Sequence, residues 1–294
     1  MPDPKLSPIK KLSALKTAKM NNRLPLIMNI NHFVYDRINR IKNKSYGKIK
    51  NPLAEQIKNN GYAFAESLIP PALIKSIKEK ADKLYAENSL INKQHSAAGL
   101  TRIKNSLNHI PECEEIWHLP EIKNVFHSLY GGGFRVFDSD VYRTTAKENP
   151  EASFGSQNWH FDNITPNMVK MMVYLTDVYE DTGAMRIIPK QKSYDLRKRG
   201  FIKRSLADKF EPELTNSSIA LEGKAGTVVF FQPQCCAHRA IEPRRDLRDV
   251  IVMMFYPYWG EQKHLNEQEK DIIASNRPYL INPFTGKALQ GSYE

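Results

Sequence analysis

Gln157-Asn158-Trp159-His160-Phe161-Asp162 is the stretch on which the chain turns. Side chains alternate faces along a strand, so residues i and i+2 project together. As a strand, this segment puts Asn158, His160 and Asp162 on one face. Trp159 and Phe161 fall on the other, where two aromatic rings can pack into a core. Two side-chain types that ligate metals thus stand side by side on a segment whose opposite face is apolar.

Outward from this segment the period of two continues. Residues 134–144, 159–162, 169–178, 184–188, 227–231 and 250–256 are strand candidates, separated by Gly, Pro and polar turns. Several short strands of this kind predict a β-sandwich or barrel. Upstream of Gly131-Gly132-Gly133 the period is helical. One helix opens after Pro70-Pro71 and carries Leu73, Ile74, Ile77, Ala81, Leu84 and Tyr85 on one face. A second spans 112–130 through Ile116, Leu119, Ile122, Val125, Phe126 and Leu129. Residues 193–222 interrupt the strands as a basic, then acidic, insertion. The expected organisation is a basic arm over 1–50 and a domain over 51–263, followed by a C-terminal helix and tail over 264–294. Within the domain, helical support covers 51–130 and a β core covers 134–260.

A third imidazole, His238, follows the apolar run Gly226-Thr227-Val228-Val229-Phe230-Phe231. Two imidazoles and one carboxylate on one face of a metal leave three adjacent positions open, the arrangement of non-haem Fe(II) oxygenases. Ten residues on, Arg248 opens the apolar run Val250-Ile251-Val252-Met253-Met254-Phe255. A guanidinium entering there can form a fork with the distal carboxylate of a 2-oxoglutarate whose other end chelates iron. The cosubstrate would fill two open positions and dioxygen the third, and its decarboxylation would yield an oxidant able to take hydrogen from an unactivated carbon. The cofactor carries that chemistry; the protein supplies geometry and a dry pocket.

The ordered series resembles the phytanoyl-CoA dioxygenase-like family. It runs Gln157-x-x-His160-x-Asp162, an apolar strand, Thr182-Gly183-Ala184-Met185-Arg186-Ile187-Ile188-Pro189, Gly226 to Phe231, His238 and Arg248, and covers about residues 54–260. The resemblance implies a mainly β fold with flanking helices around a double-stranded β-helix (jelly-roll, cupin-like) core. It also implies Fe(II), 2-oxoglutarate and O2, and usually hydroxylation. It places the metal ligands at His160, Asp162 and His238 and the cosubstrate anchor at Arg248. By position Tyr142 and Asn158 are further cosubstrate contacts, with Tyr174 or Thr176 as weaker ones. Related halogenating enzymes have a small residue where Asp162 stands, so a carboxylate there favours hydroxylation. Two positions depart from the family. Pro189-Lys190-Gln191-Lys192 stands where Pro-Gly-Ser-His is common, and Ala240 where many members carry a Ser that touches 2-oxoglutarate.

Composition bounds the rest. Residues 1–50 hold twelve basic and two acidic side chains, a net +10, and the other 244 residues hold 31 basic against 30 acidic, a net +1. Basicity is therefore a property of the arm, not of the body. The arm could draw an anionic membrane surface to residues 5–50. Few aromatics interleave there (Phe33, Tyr35 and Tyr46), which argues against base stacking on nucleic acid. Three cysteines, Cys113 and the adjacent Cys235-Cys236, exclude a secreted disulfide framework and are expected to pack as buried thiols. A cytoplasmic location with peripheral membrane contact is expected ahead of a mitochondrial one. The expected substrate is a small, lipid-linked or carrier-linked metabolite, anionic ones included, hydroxylated at an aliphatic carbon. Competing readings are a metal-binding β-barrel module that oxidises nothing and a nucleic-acid demethylase.

Overall fold

Asn51 starts the first helix, α1 (Pro52–Asn60), by accepting hydrogen bonds from the amides of Leu53 and Ala54. Pro52 occupies the first turn, where no N–H is needed, and Gly61 ends the helix at φ 80°. The computed structural model describes residues 49–88, 91–131, 133–147, 155–162, 168–201, 204–257 and 263–264. Nearly all of the basic arm (1–48) and of the C-terminal segment (265–294) lies outside the described residues. The remaining helices are α2 (Pro71–Glu87), α3 (Glu112–His118), α4 (Pro120–Tyr130), α5 (Lys190–Lys198) and α6 (Ala207–Ser217). The strands are β1 (Tyr62–Ala65), β2 (Ile91–His95), β3 (Leu100–Ile103), β4 (Phe134–Thr144), β5 (Val169–Tyr174), β6 (Arg186–Ile187), β7 (Ile219–Ala220), β8 (Val228–Phe231), β9 (His238–Arg239), β10 (Arg248–Pro257) and β11 (Lys263–His264). No helix among the described residues is long and apolar enough to cross a membrane.

The large sheet runs β1-β8-β5-β10-β4-β3-β2, with β11 also paired to β4. The small sheet runs β7-β6-β9, and an isolated bridge between His160 and His238 adds one more segment to its edge. The two face each other as a jelly-roll sandwich and do not close into a barrel. Alternation explains how each strand of the large sheet serves two layers. Val169, Met171 and Val173 of β5, Val228 and Phe230 of β8, and Ile251, Met253 and Phe255 of β10 point to the helices α1 to α4. The intervening Met172, Tyr174, Val229, Phe231 and Val250 point toward the small sheet and form the interior between the layers. A third cluster, around Trp159, Leu196, Phe201 and Leu214, seals the outer side of the small sheet under α5 and α6.

Three expectations change. The single helix over 112–130 is two helices, because Pro120 cannot continue the first and holds Leu119 extended at φ −58°, ψ 132°. The strand over 159–162 shrinks to one bridge at His160, preceded by a 3₁₀ turn over Gly155–Gln157. The segment 51–130 delivers more strand than the one extended stretch its alternation over 62–68 predicts, since β2 and β3 join the large sheet as well as β1.

Candidate metal centre and cosubstrate pocket

The bridge is what assembles the site. The His160 amide donates to the His238 carbonyl at 3.1 Å and the His238 amide to the His160 carbonyl at 3.0 Å. This brings the two imidazole rings to 4.3 Å between centroids. The Asp162 amide donates to the Pro233 carbonyl at 3.0 Å, which fixes the carboxylate's backbone beside the same loop. Trp159 and Phe161 pack into the outer cluster, so the predicted alternation around His160 holds.

Each ring nitrogen Nδ1 is spent on a carbonyl that can only accept. His160 Nδ1 lies 2.8 Å from the Asn158 carbonyl and His238 Nδ1 2.9 Å from the Cys236 carbonyl. Burial, reinforced by the neighbouring His160, pulls His238 down to about 3, so this ring is neutral at ordinary pH. The two bare Nε2 atoms face Asp162 Oδ1 at 3.2 and 3.8 Å. All three prospective ligand atoms lie within 4.8 Å of one another, the one such cluster among the described residues. Acceptors gathered without a proton to share are satisfied by a cation, and two imidazoles with one carboxylate suit iron. The donor set therefore fits a metal ion.

Lys170, on β5, holds the other carboxylate oxygen, with Nζ 2.6 Å from Asp162 Oδ2. Burial alone would raise the Asp162 carboxyl. The Lys170 ammonium is the largest opposing influence, and it outweighs burial and holds the group well below the usual carboxylate range. Oδ1 thus remains directed at the histidines while Oδ2 is occupied.

Arg248 opens β10 and is buried in the same cavity. Its guanidinium donates to the Gly183 carbonyl and, at 3.3 Å, to Thr144 Oγ1, while its Nε has no partner. Gly183 is suited to this because its φ of 89° is in the left-handed region and a Cβ would sit 2.7 Å from the Ile241 carbonyl. Burial lowers the Arg248 pKa, partly offset by Tyr174. A buried guanidinium satisfied only by neutral acceptors is costly, and a bidentate carboxylate is its natural complement. This fits the distal carboxylate of 2-oxoglutarate.

The cavity measures ≈ 340 Å³ and joins the triad, Lys170, Tyr142 and Arg248. Two wider clefts, of ≈ 540 and ≈ 670 Å³, lie around Arg239 and Arg244 and include none of these residues. The chemistry, not the size, selects the smaller one. Tyr142 lines it, its hydroxyl receiving Arg102 at 3.2 Å. Asn158 differs from expectation: its side chain is exposed and absent from the cavity wall, because the segment turns at 155–157 before reaching the bridge. Tyr174 and Thr176 are also engaged elsewhere, the former donating to the Leu221 carbonyl at 2.6 Å and the latter accepting from the Asp249 amide at 3.1 Å. Lys170 and Thr144 line the cavity without having been foreseen, and Arg204 brings to it one basic side chain of the 193–222 insertion. Of the two unforeseen residues only Lys170 carried a sequence signal, as the sole charge in the apolar run 168–175.

A jelly-roll whose two sheets enclose two imidazoles, a carboxylate and a buried arginine defines the class of non-haem iron, 2-oxoglutarate-dependent oxygenases. The chain belongs to the phytanoyl-CoA dioxygenase (PhyH) family, whose model matches residues 57–242. Its fold is similar to that of the epimerase SnoN from nogalamycin biosynthesis in complex with Fe3+, alpha ketoglutarate and nogalamycin RO, at TM-score 0.56, 18% identity and coverage of 69% of this chain and 82% of that one. It is likewise similar to the carbocyclase SnoK of nogalamycin biosynthesis (TM-score 0.56, 16% identity, 84% and 96% covered). EctD from S. alaskensis with bound Fe is a third (TM-score 0.55, 15% identity, 75% and 82% covered). No curated protein sequence matches the chain.

Proposed function

We propose that this protein hydroxylates an aliphatic carbon of a small or lipid- or carrier-linked metabolite. His160, Asp162 and His238 would hold the iron, and Arg248 would anchor 2-oxoglutarate beside Tyr142. When bound, iron and cosubstrate supply the oxidation, in which 2-oxoglutarate becomes succinate and CO2 and one oxygen atom of O2 goes to the substrate. The chain's own residues do the rest. The Asn158 and Cys236 carbonyls keep the imidazoles in the ligating tautomer, Lys170 keeps Asp162 Oδ1 presented, and Arg248 sets the cosubstrate's direction. Met172, Met185, Phe231, Val250 and Val252 make the cavity wall apolar, which limits water near the reacting carbon.

The observation that carries this reading is the sharing of one cavity by the converging Nε2 and Oδ1 atoms and a buried guanidinium without a carboxylate partner. Calorimetric titration of 2-oxoglutarate into the Fe(II)-loaded protein without oxygen tests it. Arg248→Ala is expected to lose at least about tenfold in affinity, as removal of a charge-assisted fork requires. Undiminished binding in that variant would sink the assignment. With a substrate in hand, label from dioxygen in the product separates hydroxylation from desaturation or ring closure, which insert no oxygen.

A further inference from the structure

We propose that Arg204 is a substrate-binding residue that captures an anionic group, a carboxylate or a phosphate ester, at the rim of the active-site cavity. The inference rests on the oxygenase reading of that cavity and deepens it by naming a substrate class.

The insertion over 193–222 carries a dense set of basic side chains, and the fold disposes of most of them. Arg197 is buried, donating to the Gln234 carbonyl at 2.7 Å and lying 3.7 Å over the Phe161 ring. Lys198 sits 4.2 Å over Tyr194, and Arg199 pairs with Glu213. Lys203 lies outside the described residues. Arg204 alone of the described basic side chains in that insertion lines the cavity that contains the triad.

Three cations line that cavity, and they differ in what they already hold. Lys170 has Asp162, and Arg248 has Gly183 and Thr144 as neutral acceptors while awaiting a cosubstrate carboxylate. Arg204 has no hydrogen-bond or ion-pair partner among the described residues, and it is exposed where the triad histidines are buried. Asp162 is the one carboxylate in the described wall. Its charge cancels that of Lys170, and the two charges of Fe(II) cancel the two of 2-oxoglutarate. Arg248 and Arg204 then leave the loaded cavity with two uncompensated positive charges, which favours an anionic substrate over a neutral or cationic one.

The backbone at Gly155 lies close against this side chain. A Cβ on Gly155 would stand 2.5 Å from Arg204 Nη1 and 3.1 Å from its Cζ. The φ of Gly155 is not in the left-handed region, so glycine at this position provides room for the guanidinium and not a special backbone conformation. Gly155 begins the turn that leads to His160, so the guanidinium and the metal-binding segment share one short piece of chain. An anion on Arg204 would therefore sit at the wall of the same cavity as the triad. The cavity volume of ≈ 340 Å³ is near the low end of the ~300–1,000 Å³ common for ligand sites. With 2-oxoglutarate inside, it admits a small substrate or one end of a longer one, for which a rim anchor would fix reach.

The test uses the full chain loaded with Fe(II) and 2-oxoglutarate without oxygen, and three probes: hexanoate, hexyl phosphate and hexanamide. Calorimetry is expected to show one or both anions binding and hexanamide binding more weakly, the two anions distinguishing a carboxylate from a phosphate preference. Arg204→Ala is expected to lose about tenfold or more in anion affinity, and Arg204→Lys to keep part of it. Gly155→Ala, which displaces the fork without removing it, is expected to weaken the same anions. Binding of 2-oxoglutarate is expected to be unchanged in all three variants while Arg248→Ala weakens it at least about tenfold. Equal anion affinity in wild type and Arg204→Ala, or no preference of the wild type for the anions over hexanamide, overturns the Arg204 proposal and leaves the oxygenase reading standing. Failure of wild type to bind 2-oxoglutarate overturns the oxygenase reading instead, and this proposal with it.

Discussion

Lys170 interrupts an otherwise apolar run, and holding its half-buried side chain beside Met172 and the triad is justified only by what its ammonium touches. Its effect on a metal has two opposed parts. It repels a divalent ion, and it aligns the carboxylate by occupying Asp162 Oδ2 at 2.6 Å. Partners that orient metal ligands typically matter by about 10–100-fold in affinity, so alignment is expected to win. Lys170→Met should therefore weaken Fe(II) or Co(II) binding by about tenfold in a chelator competition, with Lys170→Arg restoring most of it. Tighter binding in Lys170→Met would show that repulsion dominates. The gathering of His160, Asp162, His238 and Arg248 at one cavity was legible because each borders an apolar strand whose period fixes its face. Lys170 obeys the same period, but one lysine in a strand has no distinctive spacing. Asn158 failed for the opposite reason: i and i+2 share a face only while the chain stays extended, and a 3₁₀ turn ends at Gln157.

Helix α2 reaches the large sheet through charge as well as through Ile74, Ile77 and Ala81. Arg143 on β4 forks onto the fully buried Asp249 of β10, at 2.9 and 2.6 Å, and also contacts Asp82 of α2. Lys78 closes the group, 2.6 Å from Asp82 and 3.5 Å from Asp249. Burial would raise the Asp82 carboxyl, but its hydrogen bonds to Lys78 and Arg143 and their charges lower it on balance. A carboxyl lowered by folding contributes stability that is complete above its unfolded value, about 3.9, and lost as pH falls through the lower folded value. Thermal unfolding followed from neutral pH to below about pH 4 should show a decline that is shallower in Asp82→Asn, because that variant has no such carboxyl to protonate. An equal slope in both proteins would remove Asp82 from the acid response. Such ties between distant elements were not legible, because nothing local pairs residue 82 with 143 or 249. The helices and central strands were, since they follow from periods of 3.6 and two. The β2–β3 hairpin was not: its residues 91–95 and 100–103 mix polar and apolar side chains, and β3 takes its place by pairing with β4.

At the scale of the molecule, two sheets and three apolar layers follow from strand alternation, and the charge distribution follows from counting. Neither depends on the other. The net +1 of residues 51–294 gives the catalytic body no long-range field of its own, whereas residues 1–50 concentrate +10. Attraction of such a segment to an anionic bilayer is worth about 1 kcal/mol for each basic residue near the surface, and salt screens it over about 10 Å at 0.1 M. The matched family region begins at residue 57 and the triad and Arg248 lie far downstream, so chemistry and attraction should separate cleanly. A protein beginning at residue 49 is expected to bind Fe(II) and 2-oxoglutarate as the full chain does, by the same calorimetry. It should lose adsorption to phosphatidylserine-containing vesicles, and the full chain's adsorption should fade as salt is raised while its 2-oxoglutarate affinity changes little. Vesicle binding that survives the truncation would move the attraction to the body, with the exposed Arg204 and Arg244 the first places to look. Loss of 2-oxoglutarate binding on truncation would instead make the basic segment part of the site.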